Sequence, residues 1–404
     1  MAFSSFFISK TFKNHNHYFT AKAKFSTSFL VTKTPKKLKK KHKPKSSPRT
    51  NPIQTEPNRV TAFEQIVKRE TLMRFVTRSK NYLSNQPEHV LQLDDAGKLH
   101  RELGFPRGRK IAKSIQQHPP LFLTYRHTDG KMWFGFTDLM EELLAEEKSI
   151  MESMELDRVE KVRKLLMMSR FHRISLAKIH HVRNLFGIPD DFRDRVEKYP
   201  NYFRIVDDKN KDDGKKVRVL ELVNWDPLLA VSAIEKEFMV NEDDAKRKFT
   251  FPVKHGKDLE LGIEDERKMN LLNALPLVSP YSDGAKFDVW TLEAEKYRVG
   301  LIHEFLSLTL EKRASIHHLV EFKEEFSLTK HTYHMLVKQP RAFYLAGTEM
   351  NWVVFLKEGY DRNGVLIHKD PQVVFNEKVY KYAQIKENEE MELGYDVGLE
   401  KQDN

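Results

Sequence analysis

The run Phe192-Arg-Asp-Arg-Val-Glu-Lys-Tyr-Pro-Asn-Tyr-Phe-Arg-Ile-Val206 decides the fold. Phe192 and Val196 recur at helical spacing, and Pro200 ends the helix because its ring clashes with the preceding turn and it has no N–H to donate. Phe203 then opens a strand on the same core. The pattern occurs three times, at Pro119 to Phe122, Pro200 to Phe203 and Pro340 to Phe343, with Ile115, Val196 and Leu336 four residues before each Pro. Eight residues before, the first two copies carry Ile111 and Phe192, whereas the third has Tyr333 at seven. The intervals from Phe122 to Phe203 and from Phe203 to Phe343 are too unequal for a solenoid of regular repeats.

Upstream of each copy another helix is expected. Leu99…Leu103-Gly-Phe-Pro106 and Val182…Phe186-Gly-Ile-Pro189 read as a helix, a glycine cap, a buried residue and a proline opening the next helix. The third copy, Val320…Glu325-Phe326, lacks both Gly and Pro. Downstream, alternation and turn residues predict strand pairs at residues 121–125 and 132–136, 202–206 and 217–223, and 343–345 and 352–356. Helix, tight turn, helix, strand, loop, strand is the order of a winged helix-turn-helix. The predicted fold is α+β and mainly helical, with three winged-helix-like units at about 59–137, 138–240 and 290–383. A helix is also predicted over 59–81, and a long one from an Asp138 N-cap to beyond Leu166.

Charge is distributed unevenly along the chain. Of 404 residues, 69 are Lys or Arg and 58 are Asp or Glu, a net of +11. Residues 1–60 hold 14 of the bases and one acid, Glu56, while residues 384–404 hold two Lys and seven acids. The body between them is therefore close to neutral, which excludes a histone-like core and requires any polyanion site to come from local segregation of charge. Residues 1–30 are acid-free, with hydroxyl residues among seven Phe, and predict a transit peptide. The stretch Ala23-Lys-Phe-Ser-Thr-Ser28 favours a mitochondrial address, with the chloroplast as the alternative because the first Arg is Arg49. Residues 31–58 read as a disordered lysine-rich arm and 384–404 as an acidic disordered tail. The longest uncharged apolar run, from Leu271 to Ser282, is broken by Pro276 and Pro280, so a soluble protein with no membrane partner is expected.

Signatures of catalysis are missing from the chain. There is no Cys, hence no thiolate metal site or cysteine nucleophile. None of the 16 Gly forms a phosphate-cradling loop, and no serine sits in a nucleophile elbow. The pairs His180-His181 and His317-His318 point about 100° apart on a helix and suit a metal poorly. Asp94-Asp95, Asp190-Asp191 and Asp243-Asp244 read as caps and turns. No cofactor, metal or small-molecule substrate is expected, and no enzyme. The informative groups are basic. From Lys161 to Arg183 there is no acid, while Lys161, Arg163, Lys164, Arg170, Arg173, Lys178 and Arg183 are interleaved with Phe171 and three His. These cations are expected on the outside of their helices, as a patch for RNA phosphates. A second group comprises Arg107, Arg109, Lys110 and Lys113 on the first Pro-x-x-Phe helix, with Arg126 and Lys131 flanking the turn at Asp129-Gly130. In a winged helix these would be the recognition helix and the wing. Tyr125, Trp133, Phe134 and Phe136 lie nearby; alternation lets only some face outward to stack on bases, and most should be core.

The third unit carries a specific resemblance. Leu306-Ser-Leu-Thr-Leu-Glu-Lys-Arg313, Pro340-Arg-Ala-Phe-Tyr344, Val354-Phe-Leu-Lys-Glu-Gly-Tyr360 and Gly364-Val-Leu-Ile367 resemble the plant organelle RNA recognition domain family. Leu103-Gly-Phe-Pro106, His118-Pro-Pro-Leu-Phe122, Phe186-Gly-Ile-Pro-Asp190, Tyr199-Pro-Asn-Tyr-Phe203, Leu220-Glu-Leu-Val-Asn-Trp225 and Ser279-Pro-Tyr281 fit as well, so the likeness spans about residues 65–383. It implies a non-catalytic organelle protein that binds intron RNA and promotes group II intron splicing, with other splicing factors as possible partners. The family supplies no catalytic residues to carry over. The polar insertion Asp207 to Lys216 departs from the pattern and is expected to alter the second wing. The alternatives are an organelle transcription or termination factor, or a protein-interaction scaffold in a ribonucleoprotein.

Overall fold

The computed structural model describes residues 59–105, 110–209, 214, 216–240, 263–276, 278–283, 286–339, 342–348 and 351–385. The chain divides into units 1–52 and 53–404, and every described residue belongs to the second. The expected transit peptide, lysine arm and acidic tail from residue 386 lie outside the described residues.

The described chain is mixed α and β, with three small antiparallel sheets. Helix α1 (Thr61–Leu83) leads into β1 (Val90–Gln92), α2 (Leu93–Lys98), α3 (Ile111–Ile115), β2 (Phe122–Arg126) and β3 (Met132–Phe136). Helices α4 (Asp138–Ser153) and α5 (Glu155–Met168) follow, then β4 (Arg173–Ser175), α6 (Leu176–Phe186), α7 (Phe192–Arg195), β5 (Phe203–Lys209) and β6 (Lys216–Leu222). After α8 (Ala233–Val240), α9 (Ile263–Ala274) and α10 (Leu292–Leu308) come β7 (Arg313–Ser315), α11 (Ile316–Glu321), α12 (Thr332–Val337), β8 (Phe343–Ala346), β9 (Val353–Leu356) and α13 (Pro371–Gln384). The same β-α-α-β-β module thus occurs three times, and in each the short first strand pairs with the third, giving the orders β1-β3-β2, β4-β6-β5 and β7-β9-β8.

All six expected strands form within a few residues of their predicted ends. The polar insertion lengthens the middle hairpin, where seven residues of β5 find partners on β6 against five and four in the other two hairpins. The long helix predicted from Asp138 is instead two helices broken at Met154 (φ −98°, ψ 8°). Its N-cap is Thr137, whose hydroxyl accepts from the Met140 N–H at 3.2 Å. The break serves packing. Met140 and Leu143 of α4 join the core of the first module, whereas Val159 and Val162 of α5 join the core shared by the other two.

Each module turns between its two helices in the same way. Gly104 (φ 72°) and Gly187 (φ 69°) take the left-handed conformation, and Ser327 (φ 51°) takes it in the third module. The following residues Phe105, Ile188 and Leu328 are buried, and their N–H groups reach back five residues to the carbonyls of His100, Arg183 and Lys323 at 3.1, 3.0 and 2.8 Å. This is the Schellman closure, made on the end of α6 in the second module and on the turns that follow α2 and α11 in the other two, and it explains how the third copy manages without Gly. A left-handed non-glycine residue costs about 1 kcal/mol or more. Ser327→Gly is therefore expected to raise stability by about 1 kcal/mol in urea denaturation; a loss would mean that the serine hydroxyl makes a compensating bond. A second left-handed position precedes each first strand, at His89, His172 and Lys312.

The second and third modules pack on each other reciprocally. The Arg170 N–H donates to the Glu325 carbonyl at 2.8 Å, and the Leu310 N–H to the Leu185 carbonyl at 2.7 Å. The step along the chain from Arg170 to Leu310 equals that from Leu185 to Glu325 and that from Phe203 to Phe343, so the two bonds are one contact made twice. That is the signature of an isologous interface between two copies of a unit. Residues on the axis of such an interface meet their own equivalents, and two pairs do so: Lys164 with Glu304 at 3.1 Å, and His181 Nδ1 with Glu321 at 2.5 Å. One continuous core joins both modules, including Phe186 and Phe305 in edge-to-face contact at 5.3 Å. The first module has its own core, closed by Phe375 and Val379 of α13, and the His118 Nδ1–H donates to the Ala383 carbonyl at 2.7 Å. A third cluster places Phe63 of α1 on Tyr344, Phe355 and Tyr360.

Candidate nucleic-acid interface

The acid-free segment from Lys161 to Arg183 does not place its cations on the outside, and that expectation is corrected for five of the seven. Helix α5 buries Val162, Leu165, Leu166, Met167 and Met168 in succession, which no one-sided helix can do. Its basic residues are therefore enclosed and paired. Lys161 bridges Asp157 at 2.9 Å and Asp370 at 3.5 Å. Arg163 holds Asp226 at 3.1 Å and lies over the Tyr202 ring at 4.1 Å. The Lys164 ammonium donates to Glu304 and to the Val231 carbonyl at 2.9 Å. On α6, Lys178 pairs with Glu325 at 2.6 Å and Arg183 with Asp190. The acids come from other parts of the chain, so the absence of acids within the segment gave no warning.

Glu304 gathers several donors on the axis between the two modules. Besides Lys164 it accepts from the Tyr281 hydroxyl at 2.6 Å and the Ala233 N–H at 2.7 Å. Burial first, and then the Glu304 charge, push the Tyr281 phenol far above its ordinary range, so it remains a donor. Arg158, not among the expected site residues, does similar work by clamping Asp370, the N-cap of α13, with two bonds of 2.7 and 2.6 Å.

Arg170 and Arg173 differ from these five. Both are exposed, and their guanidinium carbons stand 5.1 and 5.7 Å from the centroid of the Phe171 ring.

In the first module, Arg107 and Arg109 lie outside the described residues. Lys110 and Lys113 are at the start and middle of α3, and Arg126 and Lys131 are exposed at the ends of the β2–β3 hairpin. Among the described residues these four make no ion pair. The Arg126 Nε–H donates to the Gly130 carbonyl at 3.2 Å, closing the turn. Register places Tyr125 opposite Trp133 on one face of the hairpin, half-buried, while Phe122, Phe134 and Phe136 fill the core behind it. Alternation therefore sorts the aromatics as expected. Asp129 fixes the outer face by accepting from the Lys131 N–H at 2.8 Å and the Trp133 indole at 3.2 Å. The Lys131 N–H holds its carboxyl below the usual range, against the effect of burial and with help from Trp133. His127 completes the face at 5.5 Å from the Trp133 ring. Cations outside any ion pair, beside partly open rings, can attract a phosphate chain and support a base.

Among the described residues no group of three or more His, Asp or Glu side chains could hold a metal ion, and no helix is long and apolar enough to cross a membrane. Trp225, on the loop after β6, is exposed and was not among the expected site residues, although it ends one of the runs that carry the family resemblance.

A family model described as the plant organelle RNA recognition domain matches residues 58–388. A chloroplastic homolog of Protein WHAT'S THIS FACTOR 1 from Oryza sativa subsp. japonica is 35% identical over 328 residues, 78% of this chain and 63% of its own length. The Arabidopsis thaliana counterpart is 34% identical over 331 residues, 78% of this chain and 61% of its own. Protein WHAT'S THIS FACTOR 9, mitochondrial, of Arabidopsis thaliana is 25% identical over 331 residues, covering 81% and 83%. The chain thus spans less than two thirds of the length of the first two relatives. No solved structure matches. With three equivalent modules built from the motifs quoted above and a family match over nearly the whole body, the chain belongs to the plant organelle RNA recognition domain family.

Proposed function

We propose that this protein binds organelle intron RNA and promotes the splicing of specific group II introns without chemistry of its own. The observation that carries the reading is that Lys110, Lys113, Arg126 and Lys131 of the first module are exposed and form no ion pair among the described residues, in a module whose hairpin also leaves Tyr125 and Trp133 half open. In this reading each β-α-α-β-β module is a winged-helix-type unit, with the β2–β3 hairpin as a wing and α3 as the helix presented to RNA. Phosphates are gripped by the lysines and arginines and unpaired bases rest on the rings, which holds the intron in a competent fold. RNA contact is the sequence-based expectation for Arg107 and Arg109 too, which lie outside the described residues. Other splicing factors would assemble on the bound RNA. The relatives carry chloroplastic and mitochondrial names, and the acid-free start of this chain supports an organelle address, with the mitochondrion expected.

The test is the salt dependence of binding. With about four phosphate contacts to single-stranded RNA, log affinity should fall against log salt with a slope of about −3. Affinity that stays flat from low to moderate salt overturns the reading.

A further inference from the structure

We propose that the second module carries a separate pocket for one unpaired nucleotide, with the base held against Trp225 and Phe171 and its phosphate met by Arg170 and Arg173. This rests on the RNA-binding reading and names a site within it.

Among the described residues of the second module, Phe171 and Trp225 are large aromatic side chains left open to solvent. Phe171 is 55% exposed and Trp225 is 42% exposed, and the His172 ring bridges toward Trp225 with an edge contact at 5.2 Å. Open ring faces cost free energy in water and are recovered by stacking. Charge accompanies them. Arg170 makes no ion pair among the described residues, and Arg173 has only Asp208 at 3.5 Å, with the side chains of that pair nearly half exposed. A cavity of about 400 Å³ is lined by Arg170, His172 and Trp225, with Asp283, Tyr297 and Glu325 of the third module among its polar walls, and Phe171, between Arg170 and His172 in the chain, stands outside that lining. A base entering it would find stacking surface at the rim and hydrogen-bonding groups inside.

Trp225 is held in place rather than loose. The buried Arg163 pairs with Asp226, whose other oxygen accepts from the Leu228 and Leu229 N–H groups at 3.0 and 3.4 Å. Arg163 is thus a positioning residue for the loop. The fold itself does not demand such a cluster. At the equivalent positions the third module has Leu310, Glu311 and Arg313, and Arg313 is enclosed between Glu70 and Glu311. Left-handed backbone at His172 recurs at Lys312, so it belongs to the module and not to the pocket.

The experiment uses the whole chain and a short single-stranded RNA carrying 4-thiouridine. Crosslinking of the unaltered protein should place the photoadduct on peptides containing Phe171 or Trp225. Phe171→Ala with Trp225→Ala should reduce single-strand affinity about tenfold or more, and Trp225→Phe alone should retain most of it. Crosslinks confined to the first module, or undiminished affinity in the double variant, overturn the pocket and leave the RNA-binding reading standing. Failure of the unaltered protein to bind RNA overturns both.

Discussion

Lys164→Ala is expected to lower stability by about 3 kcal/mol, the range for removing one partner of a buried ion pair. For a body of this length that is a fall of roughly 4–5 °C in melting temperature. Glu304 is 1% exposed and would keep the neutral donors Tyr281, Ala233 and Ser307, without the cation that offsets its desolvation. Since the pair sits where the second and third modules meet their own equivalents, the loss should loosen both modules together. Lys164→Met with Glu304→Leu, which removes both charges and fills the space, should recover most of the stability. RNA affinity measured well below the lowered melting temperature should be nearly unchanged in Lys164→Ala. An unchanged melting temperature with reduced RNA affinity would return Lys164 to the binding surface.

Replacing Lys110, Lys113, Arg126 and Lys131 by Ala together should do the opposite. RNA affinity should fall about 10- to 100-fold at moderate salt, and the salt slope should flatten by about 3, at about 0.7 for each single-strand phosphate no longer neutralised. Exposed substitutions outside caps and cores change stability by roughly 0.5 kcal/mol or less each, so the melting temperature should move by only a few degrees. The salt slope is the decisive readout, because a merely structural patch would change affinity without changing the number of displaced counterions. Comparable loss of stability and affinity with an unaltered slope would mean that these side chains hold the hairpin rather than the RNA.

Much of the architecture was legible because it is written in local pattern. Pro119, Pro200 and Pro340 stop helices wherever they occur, and alternation around Phe122, Phe203 and Phe343 marks strands without knowledge of their partners. The strands at Val90, Arg173 and Arg313 were not legible, since three residues carry no period and exist only through pairing with a hairpin formed later in the chain. Ser327 hid the third turn for a related reason: its left-handed backbone is imposed by the burial of Phe326 and Leu328, not by its own preference. The candidate site divided along the same line. Arg126 and Lys131 were correctly expected on the surface because the ends of a hairpin leave their flanks in water, and Lys110 at the start of a short helix is exposed for the same reason.

Composition, helix stops and alternation by themselves determined three helix-and-hairpin modules, a nearly neutral body and basic residues gathered in two places. Only the tertiary structure decided which of those cations meet solvent. Whether a charge is solvated or buried depends on what lies across from it, and for α5 that is α10, which sets Glu304 opposite Lys164 from a distant part of the chain.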